Sequence, residues 1–297
     1  MKIIRKLLII VVCLAFFVAL TGCENKETKY YVYFTSLQDD TIVNENYTLY
    51  PIWNSNKSTF KENEISKGTI NITFNGKEYK GEYVETTTLR YCDCPVHVYK
   101  LFGDSGFPRE EIYINSLTGE PEIFINHYAD ELDTKKLNQT QLRSISDELV
   151  KDYINFDKCI IEEKMDSMGD MRISYTKTLN GIKTSEEIFV EITSGGNIIQ
   201  FNRKMTNRFN DTLLDDARIN DKIQQLQSDS ALLALDKFID DYYAEYKKIY
   251  SYHCKGYENV VYEIIDKRLV YLDDGNLGMV YTFSTEPSIG ISELLIK

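Results

Sequence analysis

Histidine, tryptophan and proline are scarce in this chain, at three, one and five among 297 residues. Three histidines leave few general bases. Gly-x-Ser-x-Gly, His-Glu-x-x-His and Gly-x-x-x-x-Gly-Lys are all missing, which removes the serine-hydrolase, zinc-protease and phosphate-loop signatures. Positive charge is also in deficit: the formal net charge is −12, which argues against nucleic acid and against broad adhesion to anionic lipid. After residue 20 no apolar stretch approaches the 18 residues of a membrane-spanning helix. Scarce proline beside 22 tyrosines favours strands and half-buried faces.

The first 23 residues are the most informative. Lys2, Arg5 and Lys6 precede an unbroken run of 14 apolar residues, Leu7 to Leu20. That is the layout of a secretory signal, and it is short for a spanning helix. The run ends in Leu20-Thr21-Gly22-Cys23, which resembles the bacterial lipobox. The resemblance implies a diacylglyceryl group on the Cys23 sulfur, cleavage before Cys23, and attachment to the extracytoplasmic face of the cell membrane. Each buried methylene of such a lipid contributes about 0.8 kcal/mol, so two acyl chains hold where one does not. Loss of residues 1–22 takes the formal charge from −12 to −15, since the signal carries three positive charges and no acids. Residues 23–29 read as a polar tether.

Beyond the tether the expected class is α+β: tandem small modules, each an amphipathic helix on an antiparallel sheet, preceded by a β-rich N-terminal domain over 30–135. That domain opens with a strand at Tyr30–Phe34. Alternation at Ile70, Ile72 and Phe74 leads into an Asn75-Gly76 hairpin, and Val96 to Leu101, Ile112 to Ile114 and Ile123 to Ile125 continue the strands. A module follows over 136–205: a helix from Gln141 to Phe156 with Leu142, Ile145, Leu149, Tyr153 and Ile154 on one face, then alternating strands around Asn180-Gly181 and Ser194-Gly195-Gly196. Residues 206–221 read as a connector. A second module over 222–297 has a helix from Ser230 to Tyr250 striped by Leu235, Phe238, Ile239, Tyr242 and Tyr246, then strands at Val260–Ile265, Leu269–Leu272 and Met279–Phe283.

Tyr175, Leu179, Asn180-Gly181-Ile182, Thr184, Val190, Ile192, Gly196 and Phe201 resemble a PepSY-type domain, a small helix-plus-sheet module of exported bacterial proteins. The resemblance covers roughly the 65 residues of the middle module. The family is associated with peptidase pro-regions and with inhibition or localisation of surface enzymes, and it supplies no catalytic residue to carry over.

The candidate chemistry is concentrated in cysteine. With Cys23 assigned to lipid, Cys92, Cys94, Cys159 and Cys254 remain, an even count open to disulfides outside the cytoplasm or to free thiols. On a strand, Cys92 and Cys94 point to one face, where His97 and the His253-Cys254 pair would complete a soft-metal or redox site if they fold alongside. A Cys-His nucleophile would draw on His97, His127 or His253. The acidic pairs Asp240-Asp241 and Asp273-Asp274 read as a solvated helix face and a turn. Tyr243 and Tyr250 lie seven apart on the second helix, off its core stripe, and read as an exposed pair suited to a binding surface. Trp53 is a core anchor or a ligand contact.

These readings favour a non-enzymatic, membrane-anchored lipoprotein that binds or regulates an envelope protein or peptide, with no cofactor beyond the covalent lipid. The alternatives are a Cys/His metal or redox protein and a solute-binding lipoprotein; the hairpin-rich text argues against the parallel two-lobed fold of the latter.

Overall fold

A computed structural model describes residues 30–33, 47–50, 68–89, 94–102, 108–205, 209, 217–272 and 276–297. The signal sequence, Cys23, the tether, Trp53, Cys92 and the Asp273-Asp274 turn lie outside the described residues, and Cys94 is described by its backbone alone. The strands are β1 (Tyr30–Tyr33), β2 (Tyr47–Tyr50), β3 (Thr69–Phe74), β4 (Lys77–Leu89), β5 (Cys94–Phe102), β6 (Pro108–Asn115), β7 (Pro121–Asn126), β8 (Cys159–Met165), β9 (Met171–Leu179), β10 (Ile182–Ile192), β11 (Ile198–Lys204), β12 (Val261–Tyr271), β13 (Leu277–Glu286) and β14 (Glu293–Ile296). The helices are α1 (Gln139–Val150), α2 (Ala217–Leu226) and α3 (Asp229–Ile249). The class is α+β, dominated by sheet.

Two Asn-Gly pairs set tight hairpins. Asn75 and Gly76 have φ of 49° and 71°, and Asn180 and Gly181 have 51° and 77°. That left-handed pair matches the turn to the right-handed twist of the flanking strands. From them grows a continuous antiparallel sheet in the order β8-β9-β10-β11-β7-β6-β5-β4-β3. It runs unbroken across the boundary expected near residue 135, because β7 pairs with β11 (Phe124 opposite Phe201). The meander curls: Phe74 on the edge strand β3 stacks on Phe124 of β7 with ring centroids 4.3 Å apart.

Helix α1 covers the concave side. Asn138 caps it through a reciprocal pair, Gln141 N–H to Asn138 Oδ1 at 3.0 Å and Asn138 N–H to Gln141 Oε1 at 3.1 Å. Leu142 and Val150 are buried against Ile173, Tyr175, Ile188, Val190 and Phe201. The helix ends at Val150, short of the expected Phe156. The amide nitrogen of Asp157 bonds to Asn155 Oδ1 and opens a separate 3-10 turn, Phe156–Lys158. Tyr153 and Ile154 nonetheless keep their place on the core.

A second sheet, β2-β1-β14-β13-β12, carries its own core. Leu235, Phe238, Ile239 and Tyr242 of α3 pack on Met279, Tyr281 and Phe283 of β13, and Tyr281 donates to the Leu226 carbonyl at the end of α2 (2.6 Å). The connector expected over 206–221 thus ends inside a helix. The two strands expected at Val260–Ile265 and Leu269–Leu272 are one strand, β12, irregular between Ile264 and Asp266. Among the described residues, sheet meets sheet at a single parallel pair, Thr184 of β10 opposite Leu269 of β12. Arg268 bridges that seam to Glu187 (3.0 Å) and Lys183 to Asp266 (3.6 Å).

Candidate functional site

The cysteines and histidines singled out in the sequence fall in separate places. His97 is buried in β5, its Nδ1 2.7 Å from Thr86 Oγ1 and its ring edge-on to Tyr83. Cys254 is buried in the core of the second sheet, and His253 is exposed beside it. Cys159 is half-buried on β8. Both Cys159 and Cys254 are free thiols. Cys159 lines a cavity of about 220 Å³ with Tyr153, Asn155, Lys158, Lys177 and Met205. Burial pushes its thiol up, against the pull of Lys177, which favours the protonated, weakly nucleophilic form. Among the described residues no three His, Cys, Asp or Glu side chains are grouped to hold a metal ion.

Tyr243 departs from the sequence expectation. It is 3% exposed, because the chain at Cys254–Glu258 folds back over α3. Its hydroxyl donates to the Tyr257 carbonyl (3.0 Å), and Lys247 Nζ sits 4.6 Å from its ring centre. Tyr250 is half-buried and packs on Tyr246 at 4.8 Å. The two therefore do not form an exposed pair.

Two arrangements invisible to pattern reading stand out. In the first sheet, Glu122 (2% exposed) and Arg203 (6% exposed) form a buried ion pair at 2.9 Å. Asn115 Nδ2 donates to the same Glu122 oxygen, Glu120 takes a second bond from Arg203, and the guanidinium lies over Tyr153 at 5.2 Å. Burial raises the Glu122 carboxyl above its ordinary range despite the opposing pull of Arg203. Glu122 shares the buried face of β7 with Phe124 and Asn126; what the local sequence does not mark is the distant Arg203 that pairs with it there.

The second is the open edge of β12. One side is hydrogen-bonded along its length to β13. The other, among the described residues, meets β10 only at Leu269. On the open stretch Val261, Ile264 and Ile265 are 70%, 37% and 64% exposed. Tyr257 adds to the patch, its hydroxyl 3.4 Å from Glu286, the cross-strand partner of Val261. Glu258 and Glu263 are exposed along the same stretch. An apolar strand edge with unpaired backbone groups is a template for adding a strand.

No protein-family model and no curated protein matches this chain. Among solved structures, the Bacillus megaterium YpeB C-terminal domain aligns over 70% of this chain and 79% of its own, at 14% identity and a TM-score of 0.37. A likeness of that size assigns neither family nor activity. Among the described residues no helix is long and apolar enough to cross a membrane.

Proposed function

We propose that this chain is an extracytoplasmic lipoprotein, held to the cell membrane by a diacylglyceryl group on Cys23, that binds an extended segment of another envelope protein and catalyses no reaction. The single observation that carries the binding reading is the β12 edge: five residues, Val261 to Ile265, with backbone groups on one side facing no described strand and three large apolar side chains in solvent. Main-chain hydrogen bonds would supply affinity there, and alternate side-chain contacts specificity. Glu258 and Glu263 beside the edge, on a chain of net charge −12, favour an apolar segment flanked by basic residues. Two helix-on-sheet units, 136–205 and 222–297, belong to this reading, the first of them PepSY-like; regulation or localisation of a surface enzyme is the role such modules would serve.

A photo-crosslinking residue at Ile265, in cells, tests the docking edge against a control at Met168, which is also exposed but far along the chain on the β8–β9 turn. The expected result is one envelope protein captured at position 265 and not at 168. Equal capture at both sites, or none at 265, overturns the reading. Radiolabelled palmitate should enter the wild type and not Cys23→Ser, and the variant should leave the membrane fraction.

A further inference from the structure

Two turns and a strand pair converge at one end of the curled sheet. The β3–β4 turn brings Phe74, Asn75 and Lys77; the paired strands β6 and β7 bring Glu110, Phe124 and Asn126; the turn before β11 brings Gly196, Asn197 and Ile198. Between them lies a cavity of about 170 Å³, room for roughly six water molecules at about 30 Å³ each. Its floor is the Phe74–Phe124 stack, and its polar side chains are one acid, one base, three amides and a phenol.

Glu110 is the unusual member. It is 9% exposed and has no cation within ion-pair distance among the described residues. Its Oε1 accepts two long hydrogen bonds, from Asn126 Nδ2 at 3.3 Å and Tyr79 Oη at 3.5 Å. Asn126 is fixed in that orientation because its Oδ1 accepts the Tyr128 backbone N–H (3.0 Å). Burial raises the Glu110 carboxyl above its usual range, with Lys77, Tyr79 and Arg109 pulling the other way. A carboxylate taken out of water with cations near it but none in contact is costly unless something supplies a contact partner. Lys77, exposed at the mouth of the cavity, makes no ion pair with Glu110 or with any other described residue.

We propose that this cavity binds a small zwitterion of the α-amino-acid class. The ligand's ammonium lies against Glu110, its carboxylate toward Lys77 with the amides of Asn126 and Asn197 in reach, and its short side chain on the Phe74–Phe124 floor. One opposite charge at the base and one at the mouth match such a ligand, and a simple amine or a simple acid would use only half of the set. The volume accommodates a small side chain, such as that of alanine, serine or valine. The cavity shares no residue with the β12 edge, so this proposal stands or falls apart from the docking one.

Titration of the folded chain with alanine, methylammonium and acetate, followed by amide NMR, tests it. Alanine should shift Gly196, Asn197 and the Asn126 side-chain amide saturably, with methylammonium and acetate each weaker. Glu110→Gln should weaken alanine binding about tenfold or more, the scale of a charge-assisted hydrogen bond. Lys77→Met, an exposed change with little consequence for folding, should weaken alanine and leave methylammonium as tight or tighter. No saturable shift with alanine overturns the proposal. Equal binding of alanine and methylammonium, or an unaltered Lys77→Met variant, overturns the zwitterion assignment.

Discussion

The two sheets bury opposite kinds of residue. Every buried polar or charged side chain among the described residues lies between His97 and Arg203, in the first sheet and the loops around it. The second sheet and its helices bury apolar residues and the thiol of Cys254, while most of the large exposed hydrophobics, from Leu233 to Ile265, sit on that side. One half keeps polarity inside; the other shows apolar surface outside. Buried polar groups that satisfy one another fix geometry and mark places for small ligands. Exposed apolar edges mark places for other chains. The two proposed sites divide along that contrast, a small ligand in one half and a partner chain on the other.

The largest expected effect comes from breaking the polar interior. Arg203→Ala leaves the Glu122 carboxylate buried and unpaired, and should cost about 3–5 kcal/mol in urea unfolding. Removing both members, as Glu122→Leu with Arg203→Met, should cost clearly less than Arg203→Ala alone. If the two are equal, the pair does not carry its own electrostatic penalty and the contrast between the halves weakens.

A pH series sharpens the same point. The Glu122 carboxyl is raised in the folded state, so between the ordinary carboxylate range and the folded-state value the fold holds a proton that the unfolded chain releases, and above it the charged pair with Arg203 forms. The stabilisation is complete below the ordinary carboxylate range and is lost as pH rises through the folded-state value. Glu122→Gln should flatten that part of the stability profile, leaving the slope due to Glu110, Asp170 and Glu293, whose carboxyls burial also raises. An unchanged profile would remove Glu122 from the account.

Gly195→Ala is intermediate. The Asp133 carboxylate staples the turn before β11, accepting from Thr193 Oγ1 (2.6 Å), Gly195 N–H (3.0 Å) and Asn197 Nδ2 (2.7 Å). A Cβ on Gly195 would lie 2.1 Å from Asp133 Oδ1, so the carboxylate must leave. The expected cost is about 1–3 kcal/mol, read by thermal unfolding, with the Asn197 amide moved in NMR. The smallest effect belongs to the open edge: Val261→Asp with Ile265→Asp should change stability by less than about 0.5 kcal/mol each. Crosslinking from a neighbouring position on β12 should nonetheless be lost.

Sequence reading reached the first sheet where turn chemistry was explicit. Asn75-Gly76 and Asn180-Gly181 announced their hairpins, and the α3 stripe from Leu235 to Tyr246 announced its core, because positive φ and a 3.6-residue period are local properties. It missed β8, where Ile160-Ile161 followed by Glu162-Glu163 does not alternate. It split β12 at Asp266-Lys267-Arg268, since charged residues that cross to Glu187 and Lys183 look like a turn until the partner strand is in place. It left Tyr243 outside because the covering segment, Cys254–Glu258, arrives from beyond the end of the helix. Glu110, Glu122 and Arg203 share the buried faces of their strands with Ile112, Phe124 and Phe201; what the local sequence does not show is the partner that lets a charge sit there, 81 residues away in the case of Glu122 and Arg203.

The seam at Thr184 and Leu269 also acts as a ruler. An added strand running along β12 from Val261 meets β10 before Leu269, and the Lys183–Asp266 and Arg268–Glu187 contacts close the way from Asp266 onward. Five residues remain, about 16 Å at roughly 3.3 Å per residue. Any segment seated there is read over that length and must turn away at its end, so the fold sets the footprint of its guest before a single side chain is compared.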